Sequence, residues 1–170
     1  IRYPKAVLET AVQEQFGGQR RPVERGVCEP LTEGADGLIL GCGSLVSSCL
    51  EAAEQLRREG LEIGVVNARF IKPLDQRELL DRIDQAAWTL TVEEHALLGG
   101  FGSAVLEAVS DAGIAAGSIT RLGIPDRFIE HGDRGELLAD LGLDPAGIAE
   151  ACRRLAGRGL ATGLSTPVRG

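Results

Sequence analysis

Four times along this chain a short, unbroken apolar run is followed by a segment whose apolar residues recur every three or four positions. No other feature limits the possible folds so sharply. A strand that is apolar without alternation is buried on both faces, which is the habit of parallel sheets. Parallel neighbours cannot be joined by a tight turn; they need a crossover, usually helical and right-handed. The expectation is therefore an α/β chain, a three-layer α/β/α sandwich around a mostly parallel sheet.

The runs are residues 38–40, 63–66, 88–92 and 119–124, the last stopped by Pro125, which cannot donate to a ladder. After the first, a Gly41-Cys42-Gly43-Ser44 turn leads into a helix with Leu45, Val46, Cys49, Leu50, Ala53 and Leu56 on one face, ended by Gly60. Asp75 is placed to cap the second helix, whose stripe is Leu79, Leu80 and Ile83. The third helix carries Phe101, Ala104, Val105, Ala108, Val109 and Ala112. A short helix is expected near 136–141, with Asp133 as a possible cap. A last helix begins at Asp144-Pro145, with Ile148, Cys152 and Leu155 inward and Arg153 and Arg154 near the negative end of its dipole. Part of 23–32 can add an antiparallel edge strand to the four parallel ones. The division expected is 1–35 as the end of a preceding domain, linker and edge strand, 36–158 as the α/β domain, and 159–170 as a loose tail.

A length of 170 residues suits one such domain with tails, and 44% apolar content can fill its core. The net charge of −7, with no basic run, argues against a nucleic-acid surface. No stretch approaches the roughly 20 apolar residues of a membrane helix. The chain contains no methionine and opens on Ile1, so it reads as a piece of a longer polypeptide. Cys28, Cys42, Cys49 and Cys152 form no CxxC pair, and two histidines cannot complete a usual zinc set with them. They are read as reduced thiols, with a disulfide or a reactive thiol as alternatives. A bacterial cytoplasm fits this usage, with a plastid as the alternative.

In open parallel sheets ligands gather beyond the carboxyl ends of the strands, so three loops are candidates. Gly41 to Ser44 could hold a phosphate on backbone N–H groups, but the third glycine of a dinucleotide fingerprint is missing and Asn67 stands near the place of the acidic ribose ligand. A tight turn that packs the helix is the favoured reading. In the segment 92–103, VEEHALLGGFGS, His95 beside Glu93 and Glu94 could act as a general base. The favoured reading is a turn, a helix cap and a hydrogen-bonded histidine at a subunit contact, since no partner nucleophile or metal set accompanies it. The glycines Gly99, Gly100 and Gly102 would let backbone approach a ligand or a neighbouring subunit. The segment 127–134, RFIEHGDR, reads as a solvated loop. No Ser-His-Asp arrangement, Walker loop or metal motif emerges.

Several stretches are more specific than their chemistry. They are IRYP at 1–4, VVNARFIKPLD at 65–75, TVEEHALLGGFGS at 91–103 and LGIPDRFIEHG at 122–132. In order and spacing they resemble the C-terminal domain of the 1-deoxy-D-xylulose-5-phosphate synthase family, within the thiamine-diphosphate-dependent transketolase superfamily. The resemblance runs from about residue 1 to 155. The 65–75 turn is also similar to one in pyruvate dehydrogenase beta subunits.

That resemblance implies a reaction for the full-length protein. Pyruvate loses carbon dioxide, and its remaining two carbons join D-glyceraldehyde 3-phosphate. The product is 1-deoxy-D-xylulose 5-phosphate, a precursor of isoprenoids, thiamine and pyridoxal. It implies thiamine diphosphate and Mg²⁺ as cofactors, held by N-terminal and middle domains whose motifs are not in this sequence. The chain alone is then inactive and binds neither. It serves as scaffold and dimer contact, with the remaining domains and a second subunit as partners. By the same resemblance Arg2 holds the substrate phosphate, a task suited to a guanidinium fork. Glu94, His95, Gly99 and Gly100 form an interface loop or the rim of an active site. No catalytic residue is carried over. The competing readings are the equivalent domain of a transketolase or of a 2-oxo acid dehydrogenase beta subunit, or a stand-alone phosphate- or nucleotide-binding module at Gly41 to Ser44.

Overall fold

The apolar runs become strands and the periodic segments become helices in the computed structural model, which describes residues 22–115 and 118–162, with 158–162 described by backbone alone. Five strands, β1 (Glu29–Thr32), β2 (Gly37–Cys42), β3 (Ile63–Asn67), β4 (Thr89–Ala96) and β5 (Ile119–Ile124), form one sheet in the order β1-β3-β2-β4-β5. The helices are α1 (Val46–Arg58), α2 (Gln76–Gln85), α3 (Phe101–Asp111), α4 (Arg134–Asp140) and α5 (Pro145–Thr162), and a 3₁₀ turn spans Gly43–Leu45. β2 pairs in parallel with β3 and β4, and β4 with β5. β1 runs antiparallel to β3, with Glu29 opposite Asn67 and a shift of register between Pro30 and Thr32. The mixed α/β/α sheet with one antiparallel edge strand is the one expected.

Alternate residues of the strands feed two cores. Ile39, Val65, Leu90 and Val92 pack with Cys49 and Leu56 of α1 and with Ile148 and Leu155 of α5. Leu38, Leu40 and Val66 pack on the other face with Leu79 and Ile83 of α2 and Phe101, Val105 and Val109 of α3. Each fully buried side chain of this size contributes about 1.5–3 kcal/mol by leaving water. Asp75 and Asp144 cap α2 and α5 as expected, accepting from Glu78 N at 3.3 Å and Gly147 N at 2.8 Å.

Four expectations are corrected. β4 does not stop at Val92; it continues through Glu93, Glu94 and His95 to Ala96, because the Glu93 carboxylate is buried among backbone donors rather than solvated. α5 continues past Gly159, where the tail was expected, to Thr162. Arg153 and Arg154 are therefore mid-helix, far from the negative end of the dipole. Arg153 instead grips Glu59, just past the end of α1, through Nε and Nη2 at 2.8 and 2.7 Å. Ala112 lies just beyond α3 and is exposed rather than on its inner stripe.

Gly37 shows how tightly strand and crossover fit. A Cβ there would overlap the indole ring of Trp88, whereas a Cβ on Gly64 would find only ordinary contacts from 3.5 Å outward. Gly37→Ala should therefore cost about 1–3 kcal/mol in urea unfolding, as overpacking does, while Gly64→Ala should leave the midpoint near that of the parent chain.

Candidate functional site

The sheet reverses direction of winding at β2: the chain moves from β2 to β3 on one side, then returns across to β4 on the other. The crevice above the carboxyl ends of β2 and β4 is where such folds take ligands. The turn after β2 and the end of β4 meet there. The Ser44 hydroxyl donates to Glu94 Oε2 at 2.5 Å. Arg134, first residue of α4, reaches over and grips the same carboxylate, Nε to Oε1 at 2.9 Å and Nη2 to Oε2 at 2.5 Å. Its Nη2 also donates to Ser44 Oγ at 3.2 Å. The hydrogen bonds from the guanidinium, with the Ser44 hydroxyl adding to them, outweigh partial burial and hold the Glu94 carboxyl below its ordinary value of 4.5. A phosphate at the Gly41 to Ser44 turn would lie against this carboxylate, which repels it. Gly41 itself sits under α1, where a Cβ would come within 3.1 Å of Cys49 Sγ.

The second anion position in the region, the N-terminus of α3, is also filled from within. Glu93 is only 2% exposed. Its carboxylate accepts from Phe101 N at 2.6 Å and Gly102 N at 2.8 Å. Charge-assisted bonds at the positive end of a helix offset the desolvation of the carboxylate. The glycines make the approach possible: a Cβ on Gly100 would overlap the Glu93 carboxylate, and one on Gly102 would come within 2.6 Å of Thr91 Oγ1. The backbone approach for which these glycines were read thus serves the protein's own side chain.

Between strand and helix the loop is pinned from β5. Arg121 Nη1 donates to the Leu97 carbonyl at 2.7 Å and to Ser103 Oγ at 2.9 Å, and Gly99 N donates to Ser103 Oγ at 3.1 Å. Gly99 takes φ +70 with open space around its Cα. His95 is partly exposed, yet its Nδ1 is buried without a hydrogen-bond partner among the described residues.

The structure thus places Glu94, His95, Gly99 and Gly100 at one strand end and its loop. Arg2 lies outside the described residues. In the 127–134 loop His131 is exposed as expected, and Asp133 caps α4 through Gly135 N at 2.8 Å. Arg134 is the residue that sequence reading missed, since its partner lies 40 positions away. Asn67 serves the edge strand: it donates to Glu29 Oε2 at 3.3 Å and accepts from Arg69 N at 3.1 Å, with Arg69 in the left-handed region at φ +57. All four cysteines are free thiols. Burial pushes Cys28 and Cys152 up to about 12 and Cys42 to about 11, so none is a ready nucleophile. Among the described residues no three His, Cys, Asp or Glu side chains converge as a metal site would need, and the switch-point crevice is spanned by an ion pair. These residues do not fit a magnesium–diphosphate group.

The fold matches a known domain. The chain belongs to the family described as transketolase, C-terminal domain, which it matches over residues 26–148. Among individual proteins it is similar to the 1-deoxy-D-xylulose-5-phosphate synthase of Geobacillus thermodenitrificans, 48% identical over 76% of this chain and 21% of that protein. It is also similar to 1-deoxy-D-xylulose-5-phosphate synthase 1 of Geobacter sulfurreducens, 44% identical over 89% of this chain and 23% of that protein. The chain thus spans about a fifth to a quarter of these relatives. Among solved structures, a split-gene transketolase described as an inactive beta4 tetramer shares 31% identity at a TM-score of 0.73, over 79% of this chain and 44% of that one. A Pichia stipitis transketolase with sedoheptulose-7-phosphate, at 21% identity and TM-score 0.57 over 84% of this chain and 20% of that one, shares the fold.

Two outcomes follow for the two carboxylates. Glu93→Gln should cost about 1–3 kcal/mol in urea unfolding, because an amide presents only one acceptor oxygen to two backbone donors. Glu94, whose folded carboxyl titrates below 4.5, stabilises the fold above that value and loses its contribution as pH falls through the lowered one. Arg134→Gln should thus lower stability near neutrality and flatten the decline as pH falls below the ordinary carboxylate range in the same measurement.

Proposed function

We propose that the chain is the C-terminal domain of a synthase that condenses pyruvate with D-glyceraldehyde 3-phosphate to 1-deoxy-D-xylulose 5-phosphate and carbon dioxide. The observation that carries this reading is 42–48% identity, over three quarters or more of the chain, to proteins that bear that name. The 31% identity to a split-gene transketolase supports the superfamily less specifically.

In this reading the domain acts as scaffold and subunit contact and performs no chemistry. Both places where such a fold could take an anion, the switch-point turn and the N-terminus of α3, hold the protein's own carboxylates. Thiamine diphosphate, with Mg²⁺, supplies the electron sink from elsewhere in the full-length protein, which by the same resemblance is a homodimer. Arg2 is the one residue of the chain assigned to substrate, holding the aldehyde phosphate through its guanidinium.

The test is carbon dioxide release by the full-length protein given thiamine diphosphate, Mg²⁺ and pyruvate. Release should depend on D-glyceraldehyde 3-phosphate and yield a five-carbon phosphate. Arg2→Ala should raise the KM for the aldehyde about tenfold or more, the worth of one charged hydrogen-bonded pair, with a smaller effect on the KM for pyruvate. Release that ignores this aldehyde but requires lipoamide moves the chain to the 2-oxo acid dehydrogenases. Tight nucleotide binding by the chain alone counts against the scaffold role.

A further inference from the structure

All five large apolar side chains that stand exposed among the described residues lie toward one edge of the sheet: Val23, Val27, Ile71, Leu98 and Phe128. Ile71, Leu98 and Phe128, at 47, 64 and 92% exposure, sit in the loops that follow β3, β4 and β5. The last two loops are joined where Leu97 N donates to the Ile124 carbonyl at 2.9 Å. Val23 and Val27 belong to the segment leading into β1. That segment lies against the loop after β3: Cys28 N donates to Asp75 Oδ2 at 3.0 Å, and a Cβ on Gly26 would touch Pro73 at 3.0 Å. Single exposed apolar residues scattered over a surface are ordinary. Their collection at one edge, with none at the opposite edge among the described residues, is not.

The path of the chain says what covers them. β1 begins at Glu29, opposite Asn67 at the carboxyl end of β3, so the polypeptide comes into the sheet from this same edge. The relatives are longer by a factor of four or more, since the chain spans 21–24% of them. We propose that the carboxyl edge, through Ile71, Leu98 and Phe128, is the face against which the preceding part of the full-length polypeptide packs. This rests on the reading of the chain as a C-terminal domain. A covalently joined neighbour is present at high effective concentration, so a few apolar anchors suffice where a free partner needs a larger surface.

Amide hydrogen exchange of the full-length protein, compared with that of this chain alone, tests the proposal. Residues 69–74, 97–100 and 125–131 should exchange at least about tenfold more slowly in the full-length protein, while 33–36, 59–62 and 112–115 at the opposite edge should not change. Leu98→Glu combined with Phe128→Glu should leave the thermal midpoint of the chain alone within about 2 °C, since both side chains face solvent there, and should restore fast exchange in the full-length protein. Equal exchange in both proteins, or protection in the full-length protein that survives the double substitution, overturns the proposal. So does protection in the chain alone that grows with concentration, which assigns the edge to a second copy. Carboligase activity is read on the same samples: protected loops without activity uphold this edge and remove the synthase reading, and activity with unprotected loops does the reverse.

Discussion

The Glu93 carboxylate sits between the end of strand β4 and the first turn of α3, and much of the molecule's edge is arranged around it. A buried charge is costly unless donors meet both of its oxygens. Here the two donors are backbone N–H groups of a helix start, which have no partner within their own helix. One contact therefore removes two liabilities. It also fixes the angle at which α3 leaves the sheet. Phe101, whose N–H is one of the donors, is buried in the core beneath α3 as a direct result.

The neighbouring residue on the strand points to the opposite face and does related work. Glu94 joins β4 to the turn after β2 and to α4 through Ser44 and Arg134. Doubly wound sheets leave a crevice at this point because the crossovers depart to opposite sides. Here a guanidinium–carboxylate pair spans it. The domain has kept the topology that makes ligand sites and satisfied that position with its own side chains. This accords with the scaffold role proposed above.

The repeated units were plain in the sequence because burial on both faces erases alternation, and that signal is local. The edge strand, the caps at Asp75, Asp133 and Asp144 and the parallel character of the sheet followed from similarly local rules. What was hidden depended on partners far along the chain. Glu93 reads as a polar loop residue until Gly102 is seen nine positions on, and Arg134 reads as one more charge in RFIEHGDR. The end of α5 was misjudged for another reason: Gly157 and Gly159 suggest a break, yet the helix runs through them to Thr162. The glycines of the 99–102 loop were recognised as points of close approach, but sequence could not say that the approaching group was internal.

β1 has a consequence of a different kind. A sheet with a bare flank invites another chain to add a strand to it, the first step towards aggregation. On this flank the strand is only four residues long. Pro30 lacks an N–H to offer, and the shift of register between Pro30 and Thr32 disturbs the regular row of donors and acceptors. The flank is thus a poor template for β-addition. Growth of this sheet by templated pairing is discouraged there, whatever the concentration at which the protein is made.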